Sequence, residues 1–391
     1  MSHSPEALES PPADAISLSD QLVALSVIIP FHGRPEYLSR CLAGLKPLPP
    51  RTEVIVVSDG ADEIPDLTAI PVRLIEHPGP SGPAVARNRG AAIATGDVFV
   101  FIDSDVVASP GELTRLADTF DRHPEVAAVF GAYDDEPAEP NLISQYKNLT
   151  HSYIHRTSNK VAQTFWAGFG AVRAKVFSEV GGFDERFVRP SVEDIDLGYR
   201  LCAAGHLVWL DAERQVCHLK RWTFSSLLAS DVLDRGIPWT QLIWRGGRAK
   251  NDLNLKNAYR VSVGLTYILL ALLLGAFAAP ALLLPAGVTV LLLHWLGRDL
   301  YRYFVRHRGL AFALRVAPLH YMYHLYNGLS FLTGSTFYFV RRWFGIRLPG
   351  SLPTTPWQGP LNPEAGSEEL TTTENIRTPS GLASKPFSTS K

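Results

Sequence analysis

The sequence predicts an α/β fold, in which a mixed, mostly parallel sheet is flanked by helices and followed by C-terminal transmembrane helices. Between residues 25 and 225, short Val- and Ile-rich runs alternate with helix-like stretches, a pattern typical of parallel sheets with helices on their faces. Near residue 250 the composition changes to long apolar runs. Residues 261–297 contain no Asp, Glu, Lys or Arg, which indicates membrane-spanning helices.

The overall charge argues against an electrostatic grip on nucleic acid. The 391 residues include 37 basic and 38 acidic side chains, for a net charge of -1, so we expect no nucleic-acid partner. The three cysteines show no paired or metal-type spacing, which suits a reducing compartment. The first residues lack the basic and apolar regions of a secretion signal, so we expect the segment that follows to begin in the cytosol.

These changes in composition divide the chain into five parts. Residues 1–24 are expected to form a flexible arm. Residues 346–391 are rich in Pro, Ser, Thr and Gly, and this composition predicts a disordered tail. The α/β domain is expected at 25–225. An amphipathic, interfacial segment with Trp and Arg is expected at 226–260, and a membrane region follows at 261–345.

The α/β pattern also predicts where ligands bind. Helices are expected at 35–45, 83–95 and 110–123. Strands are expected at 26–30, 53–58, 72–76, 98–102 and 126–130. Parallel sheets of this kind bind ligands beyond the carboxyl ends of their strands. The polar residues that follow these strands are therefore the candidates, namely His32, Arg34, Asp59, Asp103 and Asp105.

The apolar run in the membrane region predicts two spans, near 261–279 and 281–297. The chain is expected to fold back at the intervening prolines. Basic residues precede and follow this run, so the positive-inside rule places both flanks in the cytosol. The preceding basic residues are Arg245, Arg248, Lys250, Lys256 and Arg260. A third apolar stretch, 316–340, is expected to lie in the interface, to re-enter the membrane or to span it. The alternative to spans is a buried helical hairpin of a soluble protein.

The strongest local signal is an apolar strand that ends in two carboxylates, Asp103 and Asp105, separated by Ser104. Two acids at a strand end hold a hard divalent cation through oxygen and leave coordination positions for phosphate oxygens. The same tripeptide elsewhere is more often an exposed turn or a helix cap. Its position directly after a predicted buried strand favours the metal site.

Six blocks of sequence, taken in order, resemble the motifs of family 2 of the inverting glycosyltransferases, which have the GT-A nucleotide-sugar fold. They are residues 26–30, Asp59-Gly60, residues 86–90, Asp103-Ser104-Asp105, residues 181–185 and residues 193–200. The resemblance covers about half of the chain. Six ordered matches are far more specific than any single one.

This resemblance implies a set of donor-binding residues: Pro30, His32, Arg34, Asp59, Arg87, Asp103 and Ser104. Asp59 resembles the residue that accepts a hydrogen bond from a uracil ring, and its alternative interpretation is a plain turn before Gly60. Arg87 resembles a residue that meets the base or the diphosphate, and its alternative is a surface arginine on a helix.

The resemblance also implies a divalent cation, Mg2+ or Mn2+, held by Asp103, Asp105 and His218. Asp194 corresponds to the catalytic base of the family, with Glu193 as its close rival. The alternative interpretation of both acids is that they cap the helix that follows. A lone histidine such as His218 is more often structural.

Two further groups complete the implied site. His218, Lys220, Arg221 and Trp222 are expected at the diphosphate, although processive members of the family carry Gln-x-x-Arg-Trp where this chain has His218-Leu-Lys-Arg-Trp222. That departure argues against processive polymerisation. Trp166, Gly168 and Glu193 are expected to line the sugar and acceptor pocket, with core packing as the alternative.

The resemblance therefore implies a metal-dependent inverting glycosyltransferase that moves a sugar from a nucleotide sugar, expected to be UDP-linked, to a lipid-linked or glycan acceptor. Its expected location is the inner (cytoplasmic) membrane, as a multi-pass protein of cell-envelope polysaccharide synthesis with its catalytic domain in the cytosol. The alternatives are a polyprenyl-phosphate sugar transferase and a non-catalytic sugar-nucleotide-binding scaffold in the membrane.

Overall fold

A computed structural model describes residues 23–246 and 251–359. Its centre is an eight-stranded sheet with the strand order β3-β2-β1-β4-β7-β6-β8-β5. The strands are β1 (Leu25–Phe31), β2 (Thr52–Asp59), β3 (Arg73–His77), β4 (Val98–Ile102), β5 (Val106–Ala108), β6 (Val126–Tyr133), β7 (Phe169–Arg173) and β8 (Leu207–His218). The predicted arm, 1–24, lies outside the described residues except for its last two, and Val23 donates its N–H to Asp121.

The sheet has a parallel half and a mixed half. Strands β3, β2, β1 and β4 are parallel neighbours, whereas β7 runs antiparallel to both β4 and β6. Strand β8 pairs parallel with β6 and antiparallel with β5. Strands β4 and β6 are buried along their whole length, as expected for strands covered on both faces. The predicted mixed, mostly parallel sheet is confirmed.

The helices that cover the sheet begin where the sequence predicts them. Helices α1 and α2 each carry proline in their first turn, where the missing N–H costs nothing. The helices of the α/β domain are α1 (Pro35–Gly44), α2 (Pro83–Ile93), α3 (Glu112–Arg122), α4 (Leu142–Arg156), α5 (Ala174–Glu179) and α6 (Glu193–Ala203). Helix α6 matters most for function, because its first turn carries the candidate base.

The C-terminal half of the chain is helical and packs against the α/β domain. Its elements are α7 (Phe224–Ala229), a π-helical turn (Ser230–Gly236), α8 (Ile237–Arg245), α9 (Asn257–Gly275), α10 (Leu283–Leu296) and α11 (Arg298–Phe344). Leu300 and Phe304 of α11 are buried in a cluster with Tyr146 and Leu149 of α4. Part of the predicted membrane region is therefore a structural wall of the α/β domain.

The two spans predicted at 261–279 and 281–297 have different counterparts in the structure. Helix α9, Asn257–Gly275, is the one described helix that is long and apolar enough to cross a membrane alone. Helix α10 has 14 residues and directly continues the 3-residue 3-10 turn Pro280–Leu282, and the two together extend about 26 Å at 1.5 Å per residue. It is followed by α11 after a 65° bend, so this pair forms at most one broken span.

Two other predictions about the C-terminal half need correction. Residues 346–391 were expected to be disordered, but residues within 350–357 dock onto the α/β domain: Gln241 donates to the Gly350 carbonyl at 3.0 Å, and Trp357 Nε1 donates to the Gly181 carbonyl at 2.7 Å. Residues 360–391 lie outside the described part. Arg245, expected in a basic membrane flank, is instead buried in ion pairs with Asp184 and Asp196. Arg248 and Lys250 of that flank also lie outside the described residues.

Candidate active site

The carboxyl ends of the parallel strands meet at one edge of the sheet and bring the candidate residues together. Asp59 is the last residue of β2, and Asp103 follows β4 directly. Asp105 precedes β5, whose Val106 pairs with His218 at the end of β8. The parallel topology therefore brings two of the six predicted blocks, Asp59-Gly60 and Asp103-Ser104-Asp105, to one edge of the sheet, as the strand-end rule requires.

Arg87 connects this edge to the acidic block of α6. One guanidinium nitrogen donates to Asp103 Oδ1 at 2.7 Å, and another donates to Glu193 Oε1 at 2.8 Å. The Arg87 side chain is buried, and its Nε lacks a hydrogen-bond partner among the described residues. The Arg87 side chain thus joins Asp103, which is 16 positions away in sequence, to Glu193, which is 106 positions away. The predicted contact of Arg87 with base or diphosphate is revised, because both of its terminal nitrogens are taken by carboxylates.

Glu193 and Asp194 have different surroundings, which separates their roles. The second oxygen of Glu193 accepts the Ser191 N–H at 2.9 Å, so both of its oxygens are engaged. Asp194 accepts the N–H of Ile195 at 2.7 Å and that of Ala167 at 3.3 Å, and it forms no ion pair within the described ranges. Of the two acids, Asp194 is the one without a fixed cationic partner.

Burial raises the pKa of the Asp194 carboxyl to about 7, and the neighbouring charge of Glu193 contributes to the rise. The positive charges of Arg235 and Arg87 act in the opposite direction. A carboxyl that titrates near neutrality can exchange a proton with a substrate at the working pH of a cell. These properties match those required of a general base.

Asp105 and His218, two of the residues predicted to hold a metal ion, are neighbours in the structure. His218 Nε2 lies 3.5 Å from Asp105 Oδ2, and the imidazole stacks on Tyr133 with ring centroids 4.5 Å apart. Burial raises the pKa of Asp105, but the charges of His218 and Lys220 outweigh it and hold that pKa below its ordinary value. A carboxylate that is ionised beside an imidazole supplies two of the ligand types used by divalent cations.

The residues present fit a cation only in part. In the ranges 23–246 and 251–359, no group of three or more His, Cys, Asp or Glu side chains is arranged to hold a metal ion. Asp103 has its Oδ1 on Arg87, while no hydrogen bond engages its Oδ2. A Mg2+ site on a nucleotide commonly uses one or two carboxylates and takes its other ligands from phosphates and water. Asp105 and the free oxygen of Asp103 meet that smaller requirement.

Asp59 organises a backbone loop at the edge of the cleft. Its oxygens accept the N–H of Ser81 at 2.9 Å, the hydroxyl of Ser81 at 2.7 Å and the N–H of Gly82 at 2.7 Å. Gly82 has a φ of +100°, and a Cβ there would lie 2.7 Å from the carbonyl carbon of Val188. The glycine is therefore required both by its backbone angle and by this close approach.

The other predicted donor residues lie on the same edge with looser contacts. His32 Nδ1 is 2.8 Å from the Asp59 carbonyl oxygen. Arg34 is exposed at the start of α1 and contacts Tyr37 at 3.3 Å. Pro30 lies within β1, and Ser104 lies in the turn between the two aspartates. Their assignment to the nucleotide stays a prediction.

Comparison with known proteins agrees with this geometry. A family model described as glycosyl transferase family 2 matches residues 26–181. This part of the chain is similar to that family. The chain is 32% identical over 193 residues to the pre-mycofactocin glycosyltransferase of Mycobacterium tuberculosis, a match that covers 46% of this chain and 39% of the relative. The family match and the sheet order confirm the predicted GT-A fold class and the assignment as a glycosyltransferase domain.

Two other similarities are weaker. Over 180 residues the chain is 26% identical to the undecaprenyl-phosphate 4-deoxy-4-formamido-L-arabinose transferase of Sodalis glossinidius, covering 41% of this chain and 52% of the relative. A mannosyltransferase from Pyrobaculum calidifontis, solved with GDP-Man and Mn2+, has a TM-score of 0.44 at 15% identity, covering 86% of this chain and 91% of that chain. The chain thus spans about half or less of the length of the two curated relatives.

The residues of this glycosyltransferase domain that were predicted to bind the diphosphate have different surroundings in the structure. Lys220 Nζ lies 4.3 Å from the centre of the Trp222 ring, whereas Arg221 is exposed and pairs with Glu139 at 3.0 Å. Trp222 is buried, and its indole Nε1 is without a hydrogen-bond partner in the described part of the chain. His218 lies beside Asp105, and the charge of Lys220 also acts on that carboxylate.

The predicted sugar and acceptor pocket is more buried than expected. Trp166 is only 7% exposed, and Gly168 lies so close to it that a Cβ would be 2.4 Å from the indole ring. Phe169 and Gly170 are the first two residues of β7, so only the residues before them form a loop. Trp166 and Asp194 nevertheless line the same small space, of about 50 Å³, which places the tryptophan beside the candidate base.

Sequence reasoning missed a larger cavity behind that space. It has a volume of about 480 Å³ and is lined by residues of α4, the π-helical turn, α8, α9 and α11. Arg235 lines both the cavity and the small space that contains Asp194. The Trp- and Arg-rich composition of residues 231–244 was the available sequence signal, but it indicated a membrane surface and not a cavity wall.

Proposed function

We propose that this chain transfers a sugar from a nucleotide sugar to a hydroxyl group of an acceptor, with inversion at the anomeric carbon. The observation that carries the proposal is the Arg87 bridge, which ties the Asp103 strand end to the acidic start of α6. A donor bound at the strand ends would therefore have Asp194 beside its reacting carbon. The match of residues 26–181 to the glycosyl transferase family 2 model supports the same reaction class.

In this mechanism Asp194 is the general base. The acceptor oxygen forms a bond to the anomeric carbon as the bond from that carbon to the phosphate oxygen breaks, and the hydroxyl proton passes to the Asp194 carboxylate. The nucleoside diphosphate leaves. A base with a pKa of about 7 is well matched to this step near neutral pH. Glu193, with both oxygens engaged, instead orients Arg87.

The donor is held by the edge of the sheet. Asp105, the free oxygen of Asp103 and His218 would hold Mg2+ or Mn2+, which stabilises the negative charge of the departing diphosphate. Lys220 and Arg34 are the cations placed for phosphate oxygens. Asp59 shapes the 79–82 loop against which the base would lie, and a uracil base is the expected one. Trp166 flanks the acceptor sugar.

The exposed apolar helices support attachment to a membrane. Within the most apolar window of α9 only 11% of residues are buried, and Leu284, Leu291 and Phe277 are exposed by 78%, 71% and 91%. In water such a surface would be far larger than a soluble monomer tolerates. We place α9 and the bent pair of α10 and α11 in the cytoplasmic membrane, with the α/β domain on the cytosolic side, where the arginines of early α11 lie.

The experiment incubates membranes that contain the full chain with a panel of nucleotide sugars and Mg2+ or Mn2+, and identifies the released nucleotide and the glycosylated product. We expect one donor to be consumed, and we expect Asp194→Asn to abolish transfer while donor binding survives. Asp118→Asn, a surface carboxylate on α3, is the matched control. If no nucleotide sugar in the panel transfers its sugar to water or to an acceptor, the result would favour a binding scaffold and overturn the proposal.

A second candidate function, transfer to a polyprenyl phosphate, is favoured by Arg235, which lines the same space as Asp194 and forms no ion pair within residues 23–246 and 251–359. A phosphate acceptor is already ionised, so it needs no base. Under this alternative, Asp194→Asn retains normal turnover with a polyprenyl phosphate. The same variant assay therefore separates the two reactions.

A further inference from the structure

One buried arginine joins two of the predicted sequence blocks. Asp184 lies in the block 181–185 and Asp196 lies in the block 193–200, and they are 0% and 2% exposed. Arg245, the last residue of α8, donates to Asp196 Oδ1 through its Nη2 and holds its Nη1 3.6 Å from Asp184 Oδ2. The Arg245 side chain is itself only 6% exposed. Arg245 therefore connects the C-terminal helices to both blocks at once.

Neither carboxylate needs Arg245 for charge neutralisation. Asp184 accepts two hydrogen bonds from the Arg186 guanidinium, both at 2.7 Å, and Asp196 accepts one from Arg200 Nε at 2.8 Å. Burial lowers the pKa of Arg245, and the attraction of the two carboxylates offsets that effect only in part. A buried ion pair often contributes little net stability, so a third guanidinium beside two paired anions indicates a role other than stability.

Arg245 binds the same face of α6 that the donor edge binds. Glu193 and Asp196 are three positions apart, so their side chains lie on one face of the helix, whereas Asp194 projects from a different side. Arg87 donates to Glu193 at 2.8 Å, and Arg245 donates to Asp196. The first turn of α6 is thus held between an arginine of the donor edge and an arginine of the C-terminal helices.

Helix α8 is in turn fixed against α11. A Cβ added at Gly334 of α11 would lie 2.6 Å from the Ile237 carbonyl oxygen, so glycine is what allows the two backbones to approach. Trp244 Nε1 donates to Ser335 Oγ of α11 at 2.9 Å. Arg245 directly follows Trp244, so its position is set by the packing of α8 on a helix that we place at the membrane.

The candidate base is sensitive to the placement of this first turn. Asp194 Oδ2 accepts the Ala167 N–H at 3.3 Å, a long hydrogen bond that a small shift of α6 would break. A displacement of a reacting group by about 1 Å can lower a rate by about 10²-fold. A change in the support of α6 should therefore affect the catalytic step more than it affects donor binding.

We propose that Arg245 is a positioning residue for the base: it holds the first turn of α6 so that Asp194 faces the acceptor hydroxyl. Arg245 acts through Asp196 and Asp184 and does not itself touch the substrate. The C-terminal helices therefore set the geometry of the catalytic step, beyond any role in attachment to a membrane. This inference rests on the proposed glycosyl transfer, in which Asp194 accepts the proton.

The first test separates the catalytic step from donor binding. Membranes that contain the full chain are assayed for transfer with the nucleotide-sugar panel and Mn2+, and kcat and the donor KM are measured for Arg245→Met. We expect kcat to fall at least about tenfold, because the base is displaced. The donor KM should stay within about twofold of the native value, because the side chains proposed to bind the donor are unchanged.

Two further variants control for folding. Arg245→Lys keeps the buried charge but lacks the planar fork that reaches two carboxylates, so its kcat should lie between those of native protein and Arg245→Met. Arg214→Met removes another buried arginine, 11% exposed, whose partner Glu112 keeps Arg115. We expect native kcat in Arg214→Met. An equal loss of kcat there would mean general destabilisation and would overturn the inference.

Hydrogen–deuterium exchange gives a readout that does not depend on activity. The Ala167 amide donates to Asp194, so faster exchange in the peptide that contains Ala167 reports displacement of the base. We expect Arg245→Met to speed exchange there and in the first turn of α6, while the peptide that covers β4 exchanges at the native rate. Native exchange at Ala167 in this variant would overturn the inference.

The outcomes also separate this inference from the proposed function. If the native chain transfers no sugar from any donor in the panel, the proposed function fails, while exchange at Ala167 still tests the contact made through Arg245. Native transfer with unchanged kcat in Arg245→Met would leave the proposed function standing and reject the role of Arg245. A raised donor KM with unchanged kcat would place Arg245 in donor binding, which also contradicts the inference.

Discussion

The donor edge of the sheet and the cavity under the C-terminal helices differ in how their charges are satisfied. At the donor edge, Arg87 holds two carboxylates and Asp59 accepts several hydrogen bonds from residues 81–82. In the cavity, Arg235 and the polar atoms of Thr150 and His151 lack such partners in the described structure. The first region is therefore preorganised by its own residues, whereas the second leaves several polar side chains without partners among the described residues.

The largest effect should come from breaking the preorganised region. Replacing Arg87 by Met leaves Glu193 buried and unpaired, a change that typically costs about 3–5 kcal/mol. We expect denaturant unfolding to show that loss of stability, together with loss of donor hydrolysis. Arg122→Met, which breaks an exposed pair with Asp118, should cost less than about 1 kcal/mol. Equal stability of the two variants would mean that the Arg87 bridge does not hold the cleft together.

The next effect concerns Asp194, which lies where the two regions meet. Removal of a general base commonly lowers the rate by about 10²–10⁴-fold, so Asp194→Asn should lose that much transfer to a hydroxyl acceptor. In the native chain, transfer should fall as the pH drops below about 7, because the base becomes protonated. Rates measured from pH 5 to 9 check this, and a flat profile would remove Asp194 from the proton transfer.

The same pKa sets the sign of a stability change. Because the folded pKa of Asp194 exceeds its value in the unfolded chain, the folded protein binds the proton more tightly, and stability falls as the pH rises from about 4 to 7. Asp194→Asn removes this dependence, so it should be more stable than native protein at pH 8 and not at pH 4. Thermal unfolding at the two pH values measures the difference.

A smaller effect should follow in the cavity. Tyr326→Phe deletes the hydroxyl that donates to Asp231 but leaves the Lys147–Asp231 ion pair intact. A hydrogen bond to a charged group contributes about 1.5–3 kcal/mol, so we expect a loss of that size in thermal unfolding, with donor hydrolysis retained. Tyr303→Phe, which loses a neutral contact with Ser152, should cost less. The reverse order would contradict the charge assignment on this wall.

The comparison also explains what the sequence could predict. The donor edge is built from residues that directly follow apolar strands, so Asp59, Asp103 and Asp105 were recognisable from local pattern. The strands of the parallel half were also predicted from local sequence pattern. Strand β7 contains glycine and β8 mixes polar and apolar residues, so neither shows a clear strand pattern.

Long-range pairs account for the rest. Lys147 and Asp231 are 84 positions apart, and Arg87 and Glu193 are 106 apart, so no local spacing indicates either pair. The apolar composition of α11 predicted membrane helices, but Phe304 on that helix packs against α4. Apolar patterning identifies a buried face without identifying whether lipid or protein covers it.

The smallest expected effect concerns the segment that returns from the helices to the α/β domain. Trp357 donates its indole N–H to the Gly181 carbonyl and lies 5.4 Å from the Arg186 guanidinium. Trp357→Ala removes both contacts and should cost about 1–2 kcal/mol, whereas Trp357→Phe keeps a ring for Arg186 and should cost about half of that. Limited trypsin digestion at Arg347 measures release of the segment. Faster cleavage in the phenylalanine variant than in native protein would show that the hydrogen bond holds the segment, and still faster cleavage in the alanine variant would show that the ring contact does so too. Native-like cleavage in both variants would mean that other contacts, such as that between Gln241 and Gly350, are sufficient.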